Sequence, residues 1–287
     1  MSQLTASKIL ARLLPHLRVA AAYASHVQSQ IRQQPEKGGG LFTSVLTDAD
    51  LSVQTFVEVL LLGYFPQVRF YGEEHAKSFN TRYFSSIEFG EPGDYLVTLD
   101  PIDGTRYYAD GHRSYQIILN VLSGDVVEAS LIIQPALHRY CYGLRGQGAY
   151  WGALEQSLDQ CQPLAMAPKS QRIYLGGGAG HFGARVAAPY EPYDIYQVYS
   201  STVPMPSMAS LLDGAYAGAI LGRAQVLDGV AIAFLAQEAG WIVTAHDGSP
   251  PPPLASCADY QLPGLLIAPT AAVHRDLLAI VAGGEQP

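Results

Sequence analysis

Leu99-Asp100-Pro101-Ile102-Asp103-Gly104-Thr105 is the segment from which the rest of the chain can be read. It follows Tyr95-Leu96-Val97-Thr98, an apolar run with the pattern of a buried strand, and leads into Arg106-Tyr107-Tyr108. Two carboxylates three residues apart therefore stand where a strand ends. The Gly-Thr pair behind them offers backbone N–H groups. Hard divalent cations take carboxylate and carbonyl oxygens, and phosphate oxygens take unpaired N–H groups at a turn. The heptapeptide carries both, which points to metal-assisted phosphate chemistry.

Upstream, residues 68–71 read as a strand that delivers Gly72-Glu73-Glu74. Thr47-Asp48-Ala49-Asp50 has helix N-cap chemistry, and its helix runs through Val53, Phe56, Val57, Leu60 and Leu61 to stops at Gly63 and Pro66. Residues 5–31 place Ile9, Leu10, Leu13, Leu14 and Leu17 at helical spacing, with Pro15 positioned to kink or split the helix. Residues 33–40 read as a loop, 41–46 as a short strand and 76–93 as a polar loop. Downstream, 115–122 and 126–134 form one hairpin pattern, and 139–144 and 149–151 another, giving a meandering antiparallel sheet. The second half predicts strands at 172–175, 215–221, 241–245 and 265–268. Its predicted helices are 205–212, 229–239 (closed by Gly240) and 271–281. The break is expected in the 154–168 loop, dividing the chain into halves 1–160 and 161–287 that pack closely.

Composition narrows the function. The chain has 287 residues, 48% hydrophobic and 15% charged, enough for a sizeable core. A net charge of −8 without a basic block argues against a nucleic-acid polymer or a polybasic membrane surface as partner. The three cysteines lack C-x-x-C spacing, which suggests a reducing compartment and no zinc site. Arg12, Pro15, His16 and Arg18 interrupt the N-terminal apolar run, and no run of about 18 apolar residues occurs, so a soluble cytoplasmic protein is expected. Histidines such as His112 and His181 show no metal-ligand spacing and read as structural or solvated.

Asp50, Glu73, Asp100, Asp103 and Asp228 each fall at the edge of a predicted element, where scaffolds present functional groups. Singly, each is an ordinary cap or solvated charge. Gly178-Ala179-Gly180-His181-Phe182-Gly183 spells G-x-G-x-x-G. A dinucleotide site needs a long helix next, which Pro189 cuts short, so the segment reads as a substrate-side loop. The 18 tyrosines are spread along the chain, and Tyr107 and Tyr108 are the ones expected to touch substrate.

The sequence resembles the inositol monophosphatase family, within the lithium-sensitive, magnesium-dependent phosphatases. The likeness lies in T-x-x-D at Thr47 and Asp50, G-E-E at Gly72, D-P-I-D-G-T from Asp100 to Thr105, and Asp228 running to Glu238-Ala239-Gly240, in the family's order. It extends to RGQGAYWGA at 145–153 and to the closing 265–281. The resemblance implies an α/β (α+β) fold, a layered α/β/α/β/α sandwich. It also implies two or three Mg2+ ions held by Glu73, Asp100, the main-chain oxygen of Ile102, Asp103 and Asp228. Gly104 and Thr105 are then expected to offer N–H groups to phosphate, with Asp103 and Arg106 also on the substrate side. Catalysis falls to Glu73, Thr105 and Asp50, and Glu74 shapes the site. The implied reaction is hydrolysis of a small inositol or sugar phosphate by metal-activated water, in line and without a phosphoenzyme. Family members are commonly dimers, so a homodimer is allowed.

The chain departs from the family at Leu227 (usually Trp), at Gly229-Val230-Ala231, at Arg106-Tyr107-Tyr108, at Asp110 and at Pro204. It also has Leu221 where inositol phosphatases often place a sugar-binding acid. Arg106, placed for a second anionic group, keeps open a 3′(2′),5′-bisphosphate nucleotidase or a histidinol-phosphate phosphatase. A catalytically silent, phosphate-ligand-binding relative is the alternative of another class.

Overall fold

The computed structural model describes residues 4–30, 47–74, 87, 89–165 and 167–283. The expected 33–40 loop, 41–46 strand and most of the 76–93 loop lie outside them. Two helices come first, α1 (Ala6–Val27) and α2 (Asp48–Tyr64). Seven strands follow: β1 (Arg69–Gly72), β2 (Tyr95–Asp103), β3 (Gln116–Ser123), β4 (Val126–Gln134), β5 (Arg139–Leu144), β6 (Gly148–Ala153) and β7 (Gln162–Pro163). They form one sheet in chain order. A five-residue helix, α3 (Thr105–Ala109), interrupts them after β2. Only β1 and β2 run parallel; the rest is an antiparallel meander.

The second half adds β8 (Arg172–Gly176), α4 (Gly183–Val186), β9 (Glu191–Asp194), α5 (Ile195–Val198), β10 (Gly218–Leu221), β11 (Ala224–Gln225), α6 (Gly229–Glu238), β12 (Ile242–Thr244), β13 (Gln261–Leu262), β14 (Leu265–Ala268) and α7 (Ala271–Ala282). A five-stranded sheet has the order β12-β14-β10-β8-β9, and β11 pairs with β13. Its parallel strands are β8, β9 and β10.

Side-chain alternation along β3 defines the layers. Ile117, Leu119 and Val121 face the core beneath α1 and α2, whereas Ile118 and Leu122 face a second core that includes α6 and one side of the five-stranded sheet. The other side of that sheet packs on α7 and the 179–186 segment. The result is the expected α/β/α/β/α sandwich. α6 is buried all round, from Gly229 to Ala236, because it lies between two sheets.

Several local expectations are corrected. Pro15 does not split α1, because Leu13, Leu14 and Leu17 around it are at most 2% exposed and hold the helix on the sheet. The predicted helix at 205–212 is a 3-10 segment, Met208–Asp213. The 154–168 linker contains β7, which extends the first sheet. Strand β9 was not foreseen; its Pro192 is tolerated because β9 is an edge strand. After the G-x-G-x-x-G segment the helix is only Gly183–Val186, too short for a dinucleotide loop.

Candidate active site

Parallel pairing sets β1 and β2 with their carboxyl ends on one edge, and the register Gly72↔Leu99 places Glu73 beside Asp100. The Glu73 N–H donates to the Leu99 carbonyl at 3.0 Å, which fixes that neighbourhood. A register shift between Asp100 and Asp103 then bends the end of β2. Gly104 completes the bend at φ +82°, and a Cβ there would meet Ser114 O and Tyr107 Cδ2, each at 3.2 Å. Glycine is therefore required by both conformation and space.

Asp50 reaches the site from the first turn of α2. Its Oδ2 accepts from the Thr47 N–H (2.9 Å) and the Thr47 hydroxyl (2.5 Å), closing a capping box. Its Oδ1 lies 3.2 Å from the Thr105 hydroxyl, which also reaches the Ile102 carbonyl at 2.9 Å. That carbonyl keeps a second lone pair. Asp228 caps α6 and accepts from the Gly229 N–H. The five acids thus come from the ends of α2, β1, β2 and α6.

Their charges oppose one another. Burial, and then the charges of Glu73, Asp103 and Asp228, hold Asp100 well above the usual carboxylate range. Burial raises Asp103 to about 7, assisted by Asp228 and opposed by the Gln116 hydrogen bond. Burial also carries Asp50 to about 7 against its Thr47 hydrogen bonds, and it raises Asp228. Glu73 is pushed to about 8 by its recessed position and by the charges of Glu74 and Asp50, although solvent reaches its side chain.

Asp100 Oδ1 is buried and has no hydrogen-bond partner among the described residues. Such an orphan is costly unless something fills its lone pairs. Repelling hard-oxygen donors around an orphaned carboxylate oxygen fit a hard divalent cation. Among the described residues, no three acidic, histidine or cysteine side chains converge on one ion position.

Other expected contacts differ. The Arg106 Nε donates to Asp110 Oδ2 at 3.0 Å, and the Tyr199 hydroxyl joins the same oxygen, so one edge of this guanidinium is held by the chain itself. Tyr108 points into the core and donates to the Ala24 carbonyl at 2.6 Å, and Tyr107 is only 5% exposed. Neither offers substrate an open ring. Leu221 is buried in β10, and its carbonyl meets His246 Nε2 at 2.9 Å.

The sequence did not single out three residues that support the acids. Gln116 donates to Asp103. Asn120 reaches the Val226 carbonyl at 2.9 Å, two residues before Asp228. Gln54 accepts from the Glu74 N–H at 2.9 Å. The one signal available was a polar residue inside an apolar strand or helix stripe.

A sequence profile of the inositol monophosphatase family matches residues 12–282. A fructose-1,6-bisphosphatase/inositol-1-monophosphatase of Thermotoga maritima is 25% identical over 126 residues, 42% of this chain and 44% of that protein. The protein of the same description from Aquifex aeolicus is 24% identical over 40% of this chain and 38% of its own length. Among solved structures, a staphylococcal inositol monophosphatase-1 soaked in LiCl superposes with a TM-score of 0.70 over 99% of this chain and 98% of its own, at 17% identity. A dual specific IMPase/NADP phosphatase bound with D-inositol-1-phosphate gives 0.69 over 98% of each chain, at 16% identity. With the profile spanning nearly the whole sequence and the layered sandwich shared, this chain belongs to the inositol monophosphatase family.

Proposed function

We propose that this chain hydrolyses a small phosphate monoester of the inositol- or sugar-phosphate kind, with magnesium. The observation that carries the reading is the orphaned, buried Asp100 Oδ1 amid Glu73, Asp103 and Asp228, beside the Thr105–Asp50 pair. Glu73, Asp100, Asp103, Asp228 and the Ile102 carbonyl would hold two or three ions. When bound, magnesium neutralises phosphoryl oxygens and acidifies water. Asp50, poised near neutral pH, takes a proton through the Thr105 hydroxyl, and Thr47 holds Asp50 in place. Glu73, reached by solvent, orients the attacking water, and the Thr105 N–H lies on the phosphate side. Phosphoryl transfer needs positioning and charge neutralisation more than a protein nucleophile.

The deciding experiment is phosphate release with magnesium over inositol phosphates, sugar phosphates, adenosine bisphosphate and histidinol phosphate. Release from an inositol or sugar monophosphate is expected. No release from any of them, with no magnesium bound at millimolar concentration, supports a silent ligand-binding relative instead.

A further inference from the structure

A cavity of about 290 Å³ opens where the far edge of the first sheet meets the second half. Its walls include Arg139 of β5, Trp151 of β6, Leu164 and Lys169 of the connecting segment, and Leu212 and Asp213 at the end of the 3-10 segment. None of these residues belongs to the candidate active site. Strand β5 lies three strands from β2, roughly 14 Å away at ordinary strand spacing.

The charges there do not cancel. Arg139 spends Nη2 on Asp213 and Nε on Gln134 Oε1 at 2.7 Å. Lys169 is exposed and makes no salt bridge among the described residues. Its backbone is pinned, because the Lys169 N–H donates to the Gly214 carbonyl at 2.7 Å. The cavity therefore carries one uncompensated positive charge. The rest of its wall is largely apolar, with Leu164 and Leu212 forming buried surface. Trp151, paired between β5 and β7, is 43% exposed although it is a large aromatic. An exposed indole beside an unpaired ammonium and an apolar wall suits a flat ring with one anionic group.

We infer that this inter-half cavity is a second binding site, and that it takes a small aromatic monoanion such as an arene carboxylate. Trp151 offers its ring face, Leu164 and Leu212 cover the apolar body, and Lys169 meets the anion. The Arg139–Asp213 pair ties the two halves together across the opening.

The chain supplies its own reporter, since it has two tryptophans and Trp241 is only 6% exposed. The experiment is a tryptophan-fluorescence titration of the whole chain with 4-nitrobenzoate, and with neutral 4-nitrobenzamide for comparison. Saturable quenching by 4-nitrobenzoate is expected. Lys169→Met should weaken 4-nitrobenzoate by about fivefold or more, the order of one partly exposed charge pair, and leave 4-nitrobenzamide unchanged. In Trp151→Phe, the remaining Trp241 emission should not respond. Non-saturable quenching, equal affinity for the two probes, or saturable quenching that persists in Trp151→Phe would overturn the inference. None of these readouts depends on phosphatase activity.

Discussion

At the scale of single residues, the candidate site is a set of acids held together against their own repulsion. Asp100 is the centre of it, being buried and facing the charges of three other carboxylates. Asp100→Asn is expected to lower magnesium-dependent phosphate release by about 100-fold or more, as loss of a major electrostatic group does. The same change should leave the metal-free unfolding temperature equal or higher; near-normal turnover would sink the metal assignment. The pH dependence follows from the same acids. In the folded chain Asp50 and Asp103 lose their protons near 7 and Glu73 near 8, against 3.8 and 4.5 for the unperturbed groups. The native state thus binds more protons between those values. Stability is then fully present below the unfolded pKa values, falls progressively as pH rises above about 4, and is lost once pH has passed through 7 to 8. Melting curves in EDTA should fall across this window, and saturating magnesium should flatten the slope. A flat metal-free profile would mean the acids do not repel as described.

At the scale of elements, helix ends do most of the positioning. Thr47 caps α2 and also holds Asp50, so one hydroxyl serves both helix and site. Thr47→Ala should cost about 1–2 kcal/mol in urea denaturation and reduce turnover, because Asp50 loses a donor. Thr47→Ser should restore much of both. At the other end of the chain, Glu238 closes α6 by accepting from the Gly146 and Gly148 N–H groups at 3.0 Å each. The E-A-G and R-G-Q-G segments resemble the family separately in sequence, and here they meet. Glu238→Ala should cost about 1–2 kcal/mol, a charge-assisted pair discounted for exposure, with KM for substrate little changed. A large change in KM without loss of stability would place Glu238 nearer the chemistry than its contacts indicate.

At the scale of the whole molecule, the first sheet is joined to the segment before α6 through a buried polar link. Asn120 lies in β3, where its Nδ2 reaches Thr98 and Val226 and its Oδ1 accepts from Ser130 at 2.6 Å. This ties the first sheet to the segment that carries Asp228. Asn120→Ala should destabilise by about 2–3 kcal/mol, because buried partners are left unpaired, and should weaken magnesium binding measured by titration calorimetry. Unchanged magnesium affinity would separate Asn120 from the placement of Asp228. Much of this molecule was legible in its residues alone. Alternation revealed the hairpins of the first sheet, and the motifs around Thr47, Glu73, Asp100 and Asp228 carried the resemblance to the family that the profile shows. Those signals are local, so they survive without knowledge of the fold. What Arg106, Tyr107 and Tyr108 meet was not legible, because it is chosen by distant segments: Asp110 with Tyr199 for Arg106, and the two cores for the tyrosines. Sequence by itself determined which chemical groups are present and which element ends carry them. Tertiary structure alone decided which charges are answered, because a side chain's partner depends on what packing brings within hydrogen-bond reach, not on its neighbours along the chain.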